Sequence, residues 1–191
     1  VDERFKINEI SKIFDLNRVN KAGAKFDWEK LNWLNSQIIH EMPAEVLFNT
    51  LNPLWLKKGW QVPNIEWGIE LANLIGPSMT LLKDGIELAI PFFKEPNLEA
   101  DGIKQLEMNE AKSSLKVLLS ELNNIKEKSL SKDQAVQLIN KVTKEAKVKK
   151  GLLMKSLRAA LLGRLQGPDL ITTWILLSRI GQDTIRINRC L

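Results

Sequence analysis

The stretch that decides the fold class runs from Ser131 to Gly163 and reads SKDQAVQLINKVTKEAKVKKGLLMKSLRAALLG. Ser131 with Gln134 is a capping-box pattern, in which each side chain satisfies a backbone N–H at the start of a helix. A second apolar run covers Leu152 to Leu162, and Gly163 suits the left-handed position that ends a helix. Two helices joined by a lysine-rich turn are therefore predicted. The apolar residues of the first helix recur at helical spacing; they are Ala135, Leu138, Ile139 and Val142.

Shorter helical segments, separated by glycine and proline, fill the first half of the chain. Asp27 is placed as the N-cap of one amphipathic segment, and a further helix is predicted over residues 65–75. Because proline disfavours a helix interior, Pro53 and Pro91 indicate breaks. Ser78 is expected to cap the short helix that follows.

Longer helices are predicted in the second half. Asn109 opens one of them, and Gly167 with Pro168 opens the last. Pro168 is expected at the first helical position and Asp169 in the first turn. No segment shows the alternation of apolar and polar residues that is typical of a half-buried strand. The predicted fold class is all-α, with short helices first and a compact bundle second.

The composition excludes several classes of protein. No apolar run in the 191 residues approaches the ~20 needed to span a bilayer. The charged, mixed opening of the sequence is unlike a signal peptide. One cysteine, Cys190, and one histidine, His40, leave no disulfide, zinc site or Cys–His nucleophile pair. We expect no catalytic residue, no metal and no cofactor in this chain.

Positive charge is concentrated in one segment. Residues 103–164 hold 14 lysines and arginines against 6 acidic residues, whereas the rest of the chain holds 14 against 17. A segregated basic region indicates a polyanionic partner, since neutralising phosphates releases counterions. A solvated lysine-rich helix face gives the same pattern, and charge alone leaves both interpretations open.

Six tryptophans could stack on nucleic-acid bases or could fill a core. Five of them lie among apolar helix positions, which favours the core. Trp60 follows Gly59 in a basic turn, and its role stays open. The five expected in the core are Trp28, Trp33, Trp55, Trp67 and Trp174.

Two motifs at opposite ends of the chain resemble one family. Residues 149–163 read KKGLLMKSLRAALLG and are followed at 167–170 by GPDL: a basic turn, Leu-Arg-x-Ala, a glycine, then Gly-Pro before a helix. Residues 5–10, 14–27 and 30–35 read FKINEI, FDLNRVNKAGAKFD and KLNWLN. Both motifs, in this order, are similar to the C-terminal part of glutamyl-tRNA synthetases.

That resemblance implies a division into three regions. Residues 1–40 would end the family's stem-contact region, residues 41–97 would form a helical cage that is the proximal anticodon-binding subdomain, and residues 98–191 the distal one. The two catalytic signatures of the family lie upstream of this part, and neither occurs here. The resemblance thus implies a fragment without ligase activity, whose parent attaches glutamate to tRNA with ATP and magnesium.

Site residues follow from the resemblance, position by position. Family members contact the first anticodon base through an arginine, a proline and a leucine that match Arg158, Pro168 and Leu170. Physically, a guanidinium can read or stack on a base, and Gly167 lies where backbone N–H groups open a helix. The alternatives without a binding role are a surface salt bridge for Arg158 and a core position for Leu170. The expected phosphate contacts are Lys149, Lys150 and Lys155.

Gly76 bears on which tRNAs are accepted. Glutamate and glutamine anticodons differ only in the third base, cytosine against guanine. Family members that discriminate carry an arginine in the cage, at the break matched by Gly76. Glycine can neither donate to cytosine nor clash with guanine, so binding of both glutamate and glutamine tRNAs is expected. The bland alternative is that Gly76 merely ends a helix before Pro77.

The rival function is a basic helical protein-interaction module without RNA specificity. The two are distinguished by salt, because binding through phosphates weakens steeply as salt rises and apolar docking does not. In either case the sequence predicts a monomer without a membrane segment. The resemblance places it in the bacterial cytoplasm or the plastid stroma.

Overall fold

The computed structural model describes residues 7–18, 23, 25–125 and 129–191. These residues form eleven α-helices and two short 3-10 turns without any strand, so the all-α prediction is confirmed. Phe5, Lys6, residues 19–22 and Ala24 of the N-terminal motif lie outside the described residues. The helices are α1 (Ile7–Ile13), α2 (Trp28–Glu41), α3 (Ala44–Lys57), α4 (Ile65–Ile75), α5 (Asp84–Phe93), α6 (Ala100–Glu107), α7 (Asn109–Asn123), α8 (Lys132–Glu145), α9 (Lys150–Leu162), α10 (Leu170–Arg179) and α11 (Gln182–Arg189).

Three predicted helix ends are confirmed by their hydrogen bonds. The Asp27 carboxylate accepts from the backbone N–H of Lys30 at 3.0 Å. Ser131 and Gln134 form the full capping box, with bonds of 3.2 and 2.8 Å. Gly163 ends α9 with φ +76°, in the left-handed conformation. These ends are local interactions, so the sequence sufficed to locate them.

Two predicted breaks were wrong. α3 runs through Pro53, and α5 runs through Pro91. A proline inside a helix costs about 3 kcal/mol. Continuing α3 past Pro53 buries Trp55 completely, and the indole N–H of Trp55 donates to the carbonyl of Gly85 in α5 at 3.0 Å. Burial of this large aromatic side chain and its hydrogen bond offset the one lost at Pro53. Ser78 also differs from expectation, because it ends a 3-10 turn and α5 begins only at Asp84.

The tryptophans divide between core and surface. Trp55, Trp67 and Trp174 are at most 1% exposed, as predicted. Trp60 is also buried, and its ring stacks on Phe93 at 5.1 Å. The prediction was wrong for two positions near the start of α2, where no described part of the chain covers the helix. These are Trp28, 69% exposed, and Trp33, 50% exposed.

The connection between α5 and α6, where composition shifts, does not separate two cores. One apolar cluster extends from Ile39 to Ile187 across it. The buried indole N–H of Trp67 in α4 donates to the carbonyl of Leu176 in α10 at 2.9 Å. Charged groups cross as well, since Arg179 pairs with Glu70 at 2.8 Å. The two halves are therefore joined by buried apolar and polar contacts.

Gly163 also receives the segment that enters the second half. Its carbonyl accepts from the backbone N–H of Glu99 at 2.8 Å. A Cβ added at Gly163 would collide with the carbonyl oxygen of Asn97, and one at Gly102 with the carbonyl oxygen of Gly163. The backbones of the two segments are thus in direct contact, and only glycine allows it.

Gly163→Ala should destabilise the fold by more than about 2 kcal/mol, because the left-handed conformation alone costs ~1–2 kcal/mol and the collision with backbone adds to it. Gly151→Ala, in the same helix, is the matched control. An added Cβ there meets nothing within 4 Å, so a gain of roughly 0.5–1 kcal/mol is expected. Urea unfolding followed by helical circular dichroism measures both. Equal stability of the two variants would contradict the role given to Gly163.

Candidate nucleic-acid interface

Arg158 joins α9 to the turn that precedes α10. Its side chain is half-buried, and Nη1 donates to the carbonyl oxygen of Pro168 at 2.6 Å. The partner is a backbone carbonyl, so the alternative of a surface salt bridge does not describe this arginine. Its other guanidinium donors make no hydrogen bond within the described residues. They are available to a ligand at the rim of the turn.

Gly167 makes room for this contact. Its φ of +152° lies in the region that favours glycine. A Cβ there would lie 2.9 Å from Cδ1 of Leu162 and 3.4 Å from Nη1 of Arg158. The turn can therefore approach the guanidinium only because position 167 has no side chain. Arg158, Gly167 and Pro168, which the resemblance names together as site residues, form one cluster in the structure.

α10 begins two residues later than predicted. Its first residue is Leu170, and Asp169 is the N-cap, with a carboxylate that accepts from the backbone N–H and the hydroxyl of Thr172 at 2.9 and 2.7 Å. Pro168 has no side-chain acceptor for the N–H groups of the first turn, whereas the carboxylate of Asp169 provides one. Asp169 is therefore the N-cap, and the helix begins after Asp169. The first backbone bond of the helix runs from Thr173 to Asp169. The N–H groups before it leave a partial positive charge at this end.

Leu170 contributes no side chain to this cluster. It is 2% exposed and packs in the core, so the alternative of a core position describes its side chain. The backbone N–H of Leu170 lies at the N-terminus of α10, where N–H groups have no acceptor within the helix. Because the side chain is buried, Leu170 could contact a base only through its backbone.

The charge of Lys132 also acts on Asp169, although no pattern in the sequence indicated this. Burial would raise the pKa of the Asp169 carboxyl, but hydrogen bonds from Thr172 and the charges of Arg158 and Lys132 lower it below its ordinary value. Lys132 is the first residue of α8, far from Asp169 in sequence. Burial lowers the pKa of Arg158, while Asp169 acts in the opposite direction. Positive charges from two other helices, α8 and α9, therefore act on the carboxylate that caps α10.

The three predicted phosphate contacts are all exposed. Lys149 is the N-cap of α9, Lys150 is its first residue, and Lys155 lies one turn further. No carboxylate lies within 4.0 Å of any of them in the described part of the chain. Lys141, by contrast, pairs with Glu121 at 2.6 Å. The lysines at the start of α9 are thus free to bind an anion.

Gly76 is the C-cap of α4, which ends at Ile75, so the alternative that it ends a helix before Pro77 is confirmed. It is buried, and its φ of −47° and ψ of −48° are right-handed. A Cβ there would lie 2.9 Å from Cδ2 of Leu47. Glycine allows α4 to continue into a 3-10 turn that packs closely on α3. Among the described residues, no hydrogen bond or ion pair joins Gly76 to the Arg158 cluster, and its exposed neighbours are Pro77 and Ser78.

No group of three or more His, Cys, Asp or Glu side chains in the described residues could hold a metal ion. No helix in the same residues combines the length and apolar character needed to cross a membrane.

Comparison with known proteins identifies related chains. A family model described as an anticodon binding domain matches residues 40–186. A glutamate–tRNA ligase of Prochlorococcus marinus is 56% identical over 190 residues, and one of Parasynechococcus marenigrum is 55% identical over 192. Both cover the whole of this chain, yet the chain spans only 40% of the length of either relative.

Solved structures give the same result. A glutamate tRNA ligase from Elizabethkingia meningosepticum, in complex with its amino acid, superposes with a TM-score of 0.83 at 26% identity. A glutamate-tRNA synthetase from Elizabethkingia anophelis superposes with a TM-score of 0.79, also at 26% identity. Each match covers 97% of this chain and 36% of the other.

Proposed function

Because the chain belongs to the anticodon-binding domain family and matches the C-terminal part of glutamate–tRNA ligases, we propose that it binds the anticodon arm of glutamate tRNA as a monomer. The observation that carries this proposal is the arrangement on α9. The half-buried Arg158 of α9 lies at the N-terminus of α10. Lysines without an acidic partner in the described chain lie at the start of α9. Lysines would hold phosphates, and the guanidinium would read an unstacked base.

A titration of this chain with glutamate tRNA at two salt concentrations tests the proposal. Single-stranded RNA gives a slope of log K against log salt of about −0.7 for each phosphate neutralised. A one-to-one complex whose affinity falls steeply with salt is expected. Binding of a protein partner with little dependence on salt, and none of tRNA, would favour the rival interaction module.

Arg158→Ala should weaken tRNA binding by about 1–3 kcal/mol, as for other base-reading arginines, and the loss should depend on the first anticodon base. Lys149→Ala should weaken all tRNAs evenly and reduce the salt slope. Arg179→Ala, at the opposite end of α10, removes the same charge away from the turn and is the control. Affinities of the three variants for tRNAs changed at the first anticodon base show whether the loss in Arg158→Ala depends on that base. An anticodon-independent loss in Arg158→Ala would leave it a phosphate or structural role.

We propose further that this chain performs no ligase chemistry by itself. The whole protein would attach glutamate to tRNA with ATP and magnesium, in a part not represented here. Large apolar side chains on residues 10–38 are exposed, among them Phe14 at 61% and Trp28 at 69%. Uncovered apolar surface of this extent is typical of a protein interface. It fits a chain that is covered by the rest of a longer ligase.

Purified chain should therefore give no glutamate-dependent ATP–pyrophosphate exchange. Its sequence has one histidine and one cysteine and lacks both catalytic signatures of the family, so we expect no group that could activate glutamate. A catalytically competent glutamate–tRNA ligase, assayed beside it, is the positive control. Exchange above the blank would overturn the view that this chain only recognises RNA.

Weak discrimination between glutamate and glutamine tRNAs completes the proposal. It rests on glycine at position 76, which offers neither a donor to cytosine nor a steric conflict with guanine. Gly76 is buried against Leu47. A larger residue there must displace Cδ2 of Leu47, which is the end of a flexible side chain, before it can reach the surface.

The affinities of the chain for the two tRNAs should therefore differ by less than about fivefold, below the roughly 1 kcal/mol that one good bidentate contact gives. Gly76→Arg should create a preference for the glutamate anticodon. Gly76→Met is the matched control, because it displaces Leu47 without adding a charge. A strong preference for glutamate tRNA in the unaltered chain would refute the proposal.

A further inference from the structure

A groove lies beside the start of α9, at the junction of α6 and α7. It has a volume of about 630 Å³. Three apolar side chains line it: Met108, 41% exposed, and the half-buried Val148 and Leu152. An apolar surface of this kind, open to water, suits a flat apolar group such as the face of a nucleobase.

The charges of the groove favour an anionic ligand. Lys147, Lys149 and Lys155 line it against a single carboxylate, that of Glu110. Within the described residues, no acidic group pairs with any of these lysines. Apolar surface with free cations around it is the combination that binds single-stranded nucleic acid, whose bases stack while its phosphates meet lysine.

Lys147 is held there at a cost in backbone energy. It is the one non-glycine residue with positive φ, +53°, in the described part of the chain. α8 ends in a Schellman motif, with bonds from the N–H of Val148 to Thr143 and from that of Lys147 to Lys144. The left-handed position of this motif is usually glycine. A lysine in this place indicates that its side chain has a use outside the fold.

The groove and the Arg158 cluster share one face of α9. Gly151, Lys155 and Arg158 are spaced by four and then three residues, which places them on one stripe of the helix. Gly151 and Lys155 line the groove. Arg158 follows Lys155 by about 4.5 Å along the helix axis. An RNA strand with one base at Arg158 would therefore continue directly over the groove.

We propose that the groove formed by Met108, Val148, Leu152 and the three lysines is a second base-binding site, which takes an unstacked base adjoining the nucleotide at Arg158. The base lies on the apolar side chains, and Lys147, Lys149 and Lys155 contact its flanking phosphates. The proposal rests on the proposed function, because it assumes that the same RNA loop is bound.

An RNA stem-loop with the anticodon arm of glutamate tRNA provides the test. Each loop nucleotide is replaced in turn by an abasic one, and affinities are measured for the unaltered chain and for Met108→Gln. One abasic position should weaken binding to the unaltered chain about fivefold to 150-fold, the equivalent of one stacked base. In Met108→Gln the same abasic position should cost clearly less. Met154→Gln, the same change on α9 outside the lining residues, should keep the full penalty.

The outcomes separate the two proposals. An abasic penalty that is the same in Met108→Gln and in the unaltered chain at every loop position overturns the groove site and leaves anticodon binding standing. A failure of the unaltered chain to bind the stem-loop overturns both.

Lys147→Gly gives a second, independent readout. The thermal midpoint should rise, since glycine relieves the left-handed backbone, while affinity for the stem-loop falls and the salt slope shrinks by about 0.7. Lys116→Ala, an exposed lysine of α7 that does not line the groove, is the matched control. Lys147→Gly with an unchanged affinity, or with a loss no greater than that of Lys116→Ala, would overturn the role of Lys147.

Discussion

The buried guanidinium of Arg186 holds the elements of this fold together. It is 3% exposed and donates to the carbonyls of Leu161 and Lys94, at 2.7 and 3.0 Å. Those carbonyls lie at the C-terminal ends of α9 and α5, where helix dipoles are negative, so the charge is balanced without a carboxylate in contact. Burial lowers the pKa of Arg186 to about 10, which leaves it charged at neutral pH. α5, α9 and α11 are thereby fixed to one another.

The fixed position of α9 supports the proposed recognition surface. Leu153, Leu157 and Leu161 on its inner face are completely buried, while Lys155 and Arg158 face outward from the same turns. A binding group on a packed helix loses little freedom when its ligand arrives, which favours precise recognition. The turn at Gly167 and the N-terminus of α10 are then brought to Arg158 by one hydrogen bond.

Several features of the proposed binding surface lower the stability of the free protein. Lys147 occupies a backbone conformation that glycine would adopt without strain, and the lysines at the start of α9 have no acidic partners in the described chain. Exposed tryptophan and phenylalanine side chains near the start of α2 have a similar cost in water. Each of these costs is removed when a ligand or a covering protein surface is present, which is the expected balance for a recognition domain.

Local signals in the sequence determined the helical class, the ends at Asp27, Ser131 and Gly163, and three core tryptophans, because caps and periodicity depend on neighbours within one or two turns. The motif near Arg158 likewise gave the residues that meet at the turn. Tertiary structure decided the rest. Burial of Trp55 carried α3 through Pro53, Trp28 is exposed because no described element covers it, and Leu47 packs on Gly76. Met108 reaches the proposed groove beside α9 only through the packing of α6 and α7 against that helix. Such contacts join residues that are distant in sequence, and no local pattern encodes them.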